Sequence, residues 1–284
     1  MKAKSIKGKS PEEIKTALKE SMADGFKPTL AIVFLSVKLD RIAVCEIFRN
    51  EIIVVFGATT NSEFTEQGIT EETAAILLLD INPDYFTVLF SHFPEKNYRE
   101  ATRSIAKKAL EKFSNPCFLI SGSNLETDAE ELLHGFEEII GRQVNVYGGI
   151  AGDDKQFTEQ FVFTNSQFSN SGVVTLVMNE DKLIVKGKSI CGWKPMGTVK
   201  TVTKSEGNKV YRIEGVSPLE LTKKYSGLEN LTQENPTAGL EIGVSFPFQL
   251  QGEKGDPVKR PGLVVNWEDG SFICSGSLPQ GSKI

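Results

Sequence analysis

Histidine is nearly absent from this chain: its 284 residues include two, His92 and His134, too few for a multi-histidine metal site within one copy. Cysteine is scarce as well. The four cysteines, Cys45, Cys117, Cys191 and Cys274, are scattered with no Cys-x-x-Cys spacing, and Cys45 and Cys117 sit in apolar surroundings. They read as reduced core residues of a cytoplasmic protein. No apolar run is long enough to span a bilayer, and the basic start, Met1 to Lys9, leads into no hydrophobic segment, so neither a signal peptide nor a membrane anchor is expected. The chain has no Gly-x-x-x-x-Gly-Lys-Ser/Thr and no Gly-x-Gly-x-x-Gly, which argues against nucleotide binding by the usual loops, and no Gly-x-Ser-x-Gly elbow for a nucleophile. A formal net charge of −5 argues against a nucleic-acid-coating protein, which needs a concentrated basic surface. No catalytic constellation is recognisable, and an enzyme is not expected.

What is present is an ordinary globular composition, 39% hydrophobic and 24% charged, long enough for one large domain or two smaller ones. Ser10-Pro11-Glu12-Glu13 is a capping box that opens a short amphipathic helix, ended by Asp24-Gly25. Thr29 to Val37 reads as a strand buried on both faces. Leu39 to Phe48 is compatible with a short helix, and Glu51 to Phe56 with a second buried strand. Ala74 to Ile81 and Tyr85 to Ser91 read as a hairpin turning at Asn82-Pro83-Asp84. A helix over Tyr98 to Phe113, a strand over Cys117 to Ser121 and a helix over Leu125 to Ile140 then imply parallel pairing through crossovers. From Gln160 the pattern changes to short strands with polar turns: Gln160 to Phe163, Gly172 to Met178, Lys182 to Ile190, Thr198 to Thr203 and Val210 to Ile213, expected as an antiparallel meander. Ser217-Pro218-Leu219-Glu220 opens a helix to Tyr225. Strands over Leu240 to Phe246, Gly262 to Trp267 and Phe272 to Ser275 close the chain, a late region that reads as an unfinished domain because its strands lack covering helices.

The chain is organised around Tyr147-Gly148-Gly149-Ile150-Ala151-Gly152-Asp153-Asp154, dense in glycine and carboxylate after the strand-like Val144-Asn145-Val146. Such a stretch is either a tight turn or a loop where backbone amides and carboxylates meet a ligand. Asp153 and Asp154 can act as acid and base or hold a hard cation, although adjacent residues of a strand point to opposite faces. Gly57-Ala58-Thr59-Thr60-Asn61-Ser62-Glu63, rich in hydroxyl and carboxylate after a buried strand, is the second place for ligand contacts. The stretch Cys191-Gly192-Trp193-Lys194-Pro195-Met196-Gly197 either lines an apolar pocket or packs in a core. His134 falls on the polar side of its helix. His92 ends a buried strand beside Phe93 and Pro94; it reads as a packed, hydrogen-bonded histidine, with a haem axial ligand as the minor alternative.

In order and spacing, the Gly57 to Glu63, Gly148 to Asp154 and Gly192 to Gly197 stretches resemble the N-terminal half of the FIST family, continued by Val202 to Tyr211 and Gly215 to Leu219. Phe246-Pro247, Asp269-Gly270-Ser271 and Leu278 to Ser282 are similar to elements of the family's C-terminal half, which the chain carries only in shortened form. The first loop departs from the family's Gly-Cys-Ser/Thr-Thr-x-Gly-Glu: Ala58 stands for the cysteine and Ser62 for the glycine, so thiol chemistry is not carried over. The resemblance implies an α/β (mixed α+β) fold, with helices packed on mixed parallel and antiparallel sheets and two associated subdomains: a helix over 1–26, a FIST N-type domain over 27–208 and a partial FIST C-type domain over 209–284.

For function it implies a bacterial, cytoplasmic, intracellular sensory module that binds a small metabolite such as an amino acid. Such a module acts on a separate signalling protein, for example a histidine kinase, cyclase or chemoreceptor, without nucleic acid or membrane partners. Some relatives are haem-binding nitric-oxide sensors, which makes haem through His92 the alternative cofactor, and eukaryotic relatives are coupled to F-box adaptors; a protein-interaction scaffold without a small ligand is the remaining reading. On this basis Thr59, Thr60, Asn61 and Glu63 of the first loop are expected to meet the ligand. Gly148, Gly149, Gly152, Asp153 and Asp154 of the second loop are expected to join them, with Trp193 as a wall. The amides of Gly148 and Gly149 are expected to take a carboxylate, and Glu63 or Asp153 an ammonium group.

Overall fold

A computed structural model describes residues 1–124, 127–156, 158–188, 192–228, 233–234, 242–252 and 257–284. The chain forms two compact units, Met1–Lys188 and Ser189–Ile284. Leu125, Ile190, Cys191, Leu240 and the other residues outside those ranges carry earlier expectations that lie outside the described residues.

The first unit begins with a strand that its basic composition concealed, β1 (Lys2–Gly8), followed by helix α1 (Pro11–Ser21), whose N-cap Ser10 accepts from the Glu13 amide. Strand β2 (Leu30–Ser36), helix α2 (Arg41–Asn50), capped by Asp40, and strand β3 (Val54–Thr60) come next. A small hairpin, β4 (Glu63–Thr65) and β5 (Gly68–Thr70), leads to β6 (Ala74–Asp80). After a single 3-10 turn at Pro83–Tyr85 come β7 (Phe86–His92), α3 (Tyr98–Lys112), β8 (Pro116–Gly122), α4 (Ala129–Ile140) and β9 (Val146–Ile150). Strands β10 (Val162–Phe163), β11 (Phe168–Ser169) and β12 (Gly172–Asn179) complete the unit.

These strands make a six-stranded sheet, β1-β6-β2-β3-β10-β11, and a four-stranded sheet, β7-β12-β8-β9. Side-chain alternation explains why the sheets stack. On β2, Ala31, Val33 and Leu35 face α1 and α2, while Leu30 and Ile32 face the other sheet. On β12, Val174, Leu176 and Met178 meet the six-stranded sheet, while Val173 and Val177 meet α3 and α4. Helices, sheet, sheet and helices therefore lie in successive layers, and the strands between them are buried on both faces. Cys45 and Cys117 are buried free thiols in this stack, pushed up to about 12 by burial, and chemically inert.

Three sequence expectations fail here for one reason, the pairing of strands distant in the chain. The hairpin of Ala74–Ile81 with Tyr85–Ser91 does not form: β1 and β2 flank β6 on both edges, so β7 enters the other sheet beside β12. The crossovers do run parallel, β8 with β9, but β12 inserts antiparallel between β7 and β8. The meander expected from Gln160 is instead divided, with β10 on β3 and β12 in the centre of the second sheet. No strand forms over 183–188; Leu183 and Val185 alternate because they cap the inter-sheet core.

The second unit holds a four-stranded antiparallel sheet, with β13 (Val202–Glu206), β14 (Lys209–Ile213), β17 (Gly262–Val265) and β18 (Phe272–Cys274) in the order β13-β14-β18-β17, beside a two-stranded pair of β15 (Phe248–Leu250) and β16 (Val258–Arg260). Helix α5 (Pro218–Ser226) starts in the capping box of Ser217 and Glu220 and stops at the left-handed Gly227. The expected strand over Leu240 to Phe246 is corrected by a helical turn at 242–245. Val202, Val210, Ile213, Leu219, Phe272, Cys274 and Leu278 form this unit's core.

Candidate functional site

The two polar loops expected to meet a ligand do come together, because the chain changes sheets between them. The Ala151 amide donates to the Gly122 carbonyl of β8 (2.8 Å), the Gly152 amide to Thr59 at the end of β3 (2.8 Å), and the Asp154 amide to Thr60 (3.1 Å). Residues 151–154 thus join one sheet to the other. Gly152 is required by close approach, since a Cβ there would lie 2.6 Å from Asn61 Oδ1. Gly148 is required by both its φ of +147° and a Cβ position 2.0 Å from the Ile120 carbonyl oxygen. Gly149 has open space around it, and Gly148 and Gly149 are exposed on β9.

The polar side chains at this junction are directed at the protein itself. Thr59 Oγ1 donates to the Gly152 carbonyl (2.6 Å) and accepts from the Phe161 amide (2.9 Å). Asn61 Oδ1 accepts from the amides of Asp153 (3.1 Å) and Lys155 (3.2 Å). Asp153 is 2% exposed and accepts from the Thr158 amide (2.6 Å) and Gln160 Nε2 (2.8 Å). Glu63, 1% exposed, accepts from Thr60 Oγ1 (2.6 Å) and from the amide and hydroxyl of Thr73 (3.2 and 3.1 Å). Sequence could not anticipate this, because Ser, Thr, Asn and Asp bind backbone or ligand equally well. Asp153 and Asp154 lie beyond the strand, in the turn or loop that their composition suggested: β9 ends at Ile150, and Asp154 and Lys155 take left-handed φ values of +56° and +63°.

One oxygen is left over. Asp154 Oδ2 accepts from Ser36 Oγ (2.6 Å), but its Oδ1 is buried without a partner. Nearby, Lys38 pairs with Glu72, and that hydrogen bond, helped by the charges of Asp154 and Glu71, raises the ammonium above its ordinary range.

Trp193, the remaining expected site residue, belongs to the second unit, where it lines a cavity of about 300 Å³. Its wall is the run Trp193 to Lys200; α5 contributes Leu221, Thr222 and Tyr225, and Phe246, Pro247 and Phe248 close the apolar side. Gly197 permits this wall: with φ +83°, its Cβ would lie 2.8 Å from the Tyr225 ring. Sequence reading missed Tyr225 and Phe248 as site residues and noted Phe246-Pro247 only as a family signature. The signal available was the glycine- and proline-flanked Trp193 and Met196, which remain 45% and 57% exposed.

The histidines contribute no site. His134 is exposed and lies 3.3 Å from Glu137 Oε2, as its helical position implies. His92, expected to be packed, is exposed at the end of β7, with its ring edge-on to Phe90 at 5.0 Å. That environment does not fit a haem ligand, which needs an apolar enclosure. Among the described residues no helix is long and apolar enough to cross a membrane, and no group of three or more metal-ligating side chains converges.

A family model, the FIST N domain, matches residues 29–216. The match covers most of the layered unit and continues through the Trp193 to Lys200 wall into β14, stopping before α5. No curated protein matches the chain.

Proposed function

The chain belongs to the FIST family of sensory and signal-transduction domains, and from that premise we propose that it is a small-ligand-binding input module whose ligand, a metabolite of amino-acid size, is held in the cavity of the second unit. The observation that carries this reading is the cavity itself: about 300 Å³, with aromatic walls and a few polar groups, at the lower end of the range for small-molecule sites. The glycine-flanked Trp193 to Gly197 segment is thereby given a purpose, since exposed Trp and Met side chains offer apolar surface for a ligand to cover. Occupancy is passed to a separate signalling protein of the histidine kinase, cyclase or chemoreceptor kind. The three buried free thiols, Cys45, Cys117 and Cys274, support a cytoplasmic setting. A binding module is favoured over an enzyme because, of the two carboxylates read as a possible acid and base, Asp153 is taken up by the Thr158 amide and Gln160, and Asp154 accepts from Ser36.

One observation favours a second reading, in which an ammonium-bearing ligand binds at the sheet junction: the buried Asp154 Oδ1 accepts no hydrogen bond there. A thermal-shift screen of amino acids and small carboxylates separates the two, because a ligand bound only by the native state raises the melting temperature. The expected result is a saturable shift abolished by Trp193→Ala and retained by Asp154→Ala. The reverse pattern establishes the junction reading, and the absence of any shift overturns both.

A further inference from the structure

The electrostatics of the cavity in the second unit narrow what it can hold. Lys194, Lys200 and Lys259 line it, and among the described residues no carboxylate side chain does. Lys259 donates to Gln249 Oε1 on the neighbouring strand, a neutral acceptor. Lys200 Nζ stands 5.9 Å from the centre of the Tyr225 ring, at the outer limit of a cation–π contact, and its backbone is anchored by exchange of hydrogen bonds with Ile284 (2.9 and 3.0 Å). Aromatic side chains line the same space: Trp193, Phe246 and Phe248. A ligand ammonium entering this space meets like charge, and among the described residues the lining offers it no side-chain carboxylate. A carboxylate meets lysine donors, and a flat apolar body meets aromatic faces.

We propose that the cavity recognises a small organic anion consisting of a flat apolar body with a carboxylate and no ammonium group, a class different from the zwitterionic amino acid that the family resemblance implies. This rests on the cavity being the ligand site proposed above. Lys200 supplies the charge-assisted contact from the wall segment, Lys259 supplies a second from β16, and the aromatic walls select for planarity.

Calorimetric titration of the full chain with three probes of nearly equal shape tests the assignment: indole-3-acetate, its uncharged amide and tryptophan. The expected result is one-to-one binding of indole-3-acetate that weakens with added salt. The amide and tryptophan are expected to bind at least tenfold more weakly, and Lys200→Gln or Lys259→Gln to lose at least fivefold in affinity with an unchanged melting temperature for the free protein. Binding of the amide or tryptophan as tight as that of the anion overturns the charge selection while leaving the cavity as the ligand site. So does full affinity in both lysine variants. If none of the three binds, and Trp193→Ala abolishes the shift of some other compound in the wider screen, the class assignment alone is wrong. If nothing in that screen binds either, the cavity reading falls with it.

Discussion

Thr175 lies at the middle of β12, fully buried, on the same face as Val173 and Val177, and its hydroxyl has no hydrogen-bond partner. A buried donor without a partner costs about 1–3 kcal/mol relative to an apolar group of the same shape. Valine keeps the β-branched outline, so Thr175→Val is expected to raise the melting temperature by about 2–4 °C. A fall in melting temperature means that the hydroxyl has a partner in solution. Glu63 is the opposite case. It is equally buried but accepts three hydrogen bonds, from Thr60 and Thr73, so its burial is compensated and its loss leaves hydroxyl and amide donors unsatisfied.

Among the elements, the α3–α4 pair is set by one small residue. Gly135 faces α3 so closely that a Cβ would stand 2.0 Å from Thr102 Oγ1 and 2.3 Å from the Arg99 carbonyl oxygen. Alanine favours the isolated helix by about 1 kcal/mol, but the backbone oxygen cannot move without separating the helices, so overpacking of about 1–3 kcal/mol decides the sign. Gly135→Ala is expected to lower the urea midpoint. Adding Thr102→Ala restores only part of the loss because the Arg99 carbonyl remains. Equal stability of Gly135→Ala and the parent would show that the pair has room to separate. The surface pairs across this contact, Arg99 with Glu131 (2.6 Å) and with Glu138 (3.1 Å), are exposed and contribute little by comparison.

At the scale of the molecule, three hydrophobic cores formed by the described residues lie entirely within Met1–Lys188, and another lies within Ser189–Ile284. A unit that contains its own core can fold by itself. A fragment of residues 1–188 is expected to unfold in one cooperative transition at a melting temperature close to that of the first unit in the full chain. A fragment without such a transition would make the two units interdependent.

Local sequence was sufficient wherever the determining chemistry was local. Helix starts at Ser10 and Ser217 follow from side chains that satisfy free amides, and the burial of β2 on both faces follows from its continuous apolar composition. The mixed α/β class follows from those elements, and the family follows from the order of the glycine-bearing stretches. Which strands pair is a different matter, since a strand's edges carry the same backbone groups whatever its sequence. Tertiary structure therefore decided that β1 takes the place beside β6 and that β12 divides β7 from β8. It also decided what the polar loops do. Their composition shows that Thr59, Asn61 and Asp153 carry acceptors and donors; only the approach of residues 151–154 to the end of β3 makes those groups partners of the fold, while the aromatic cavity of the second unit stays open.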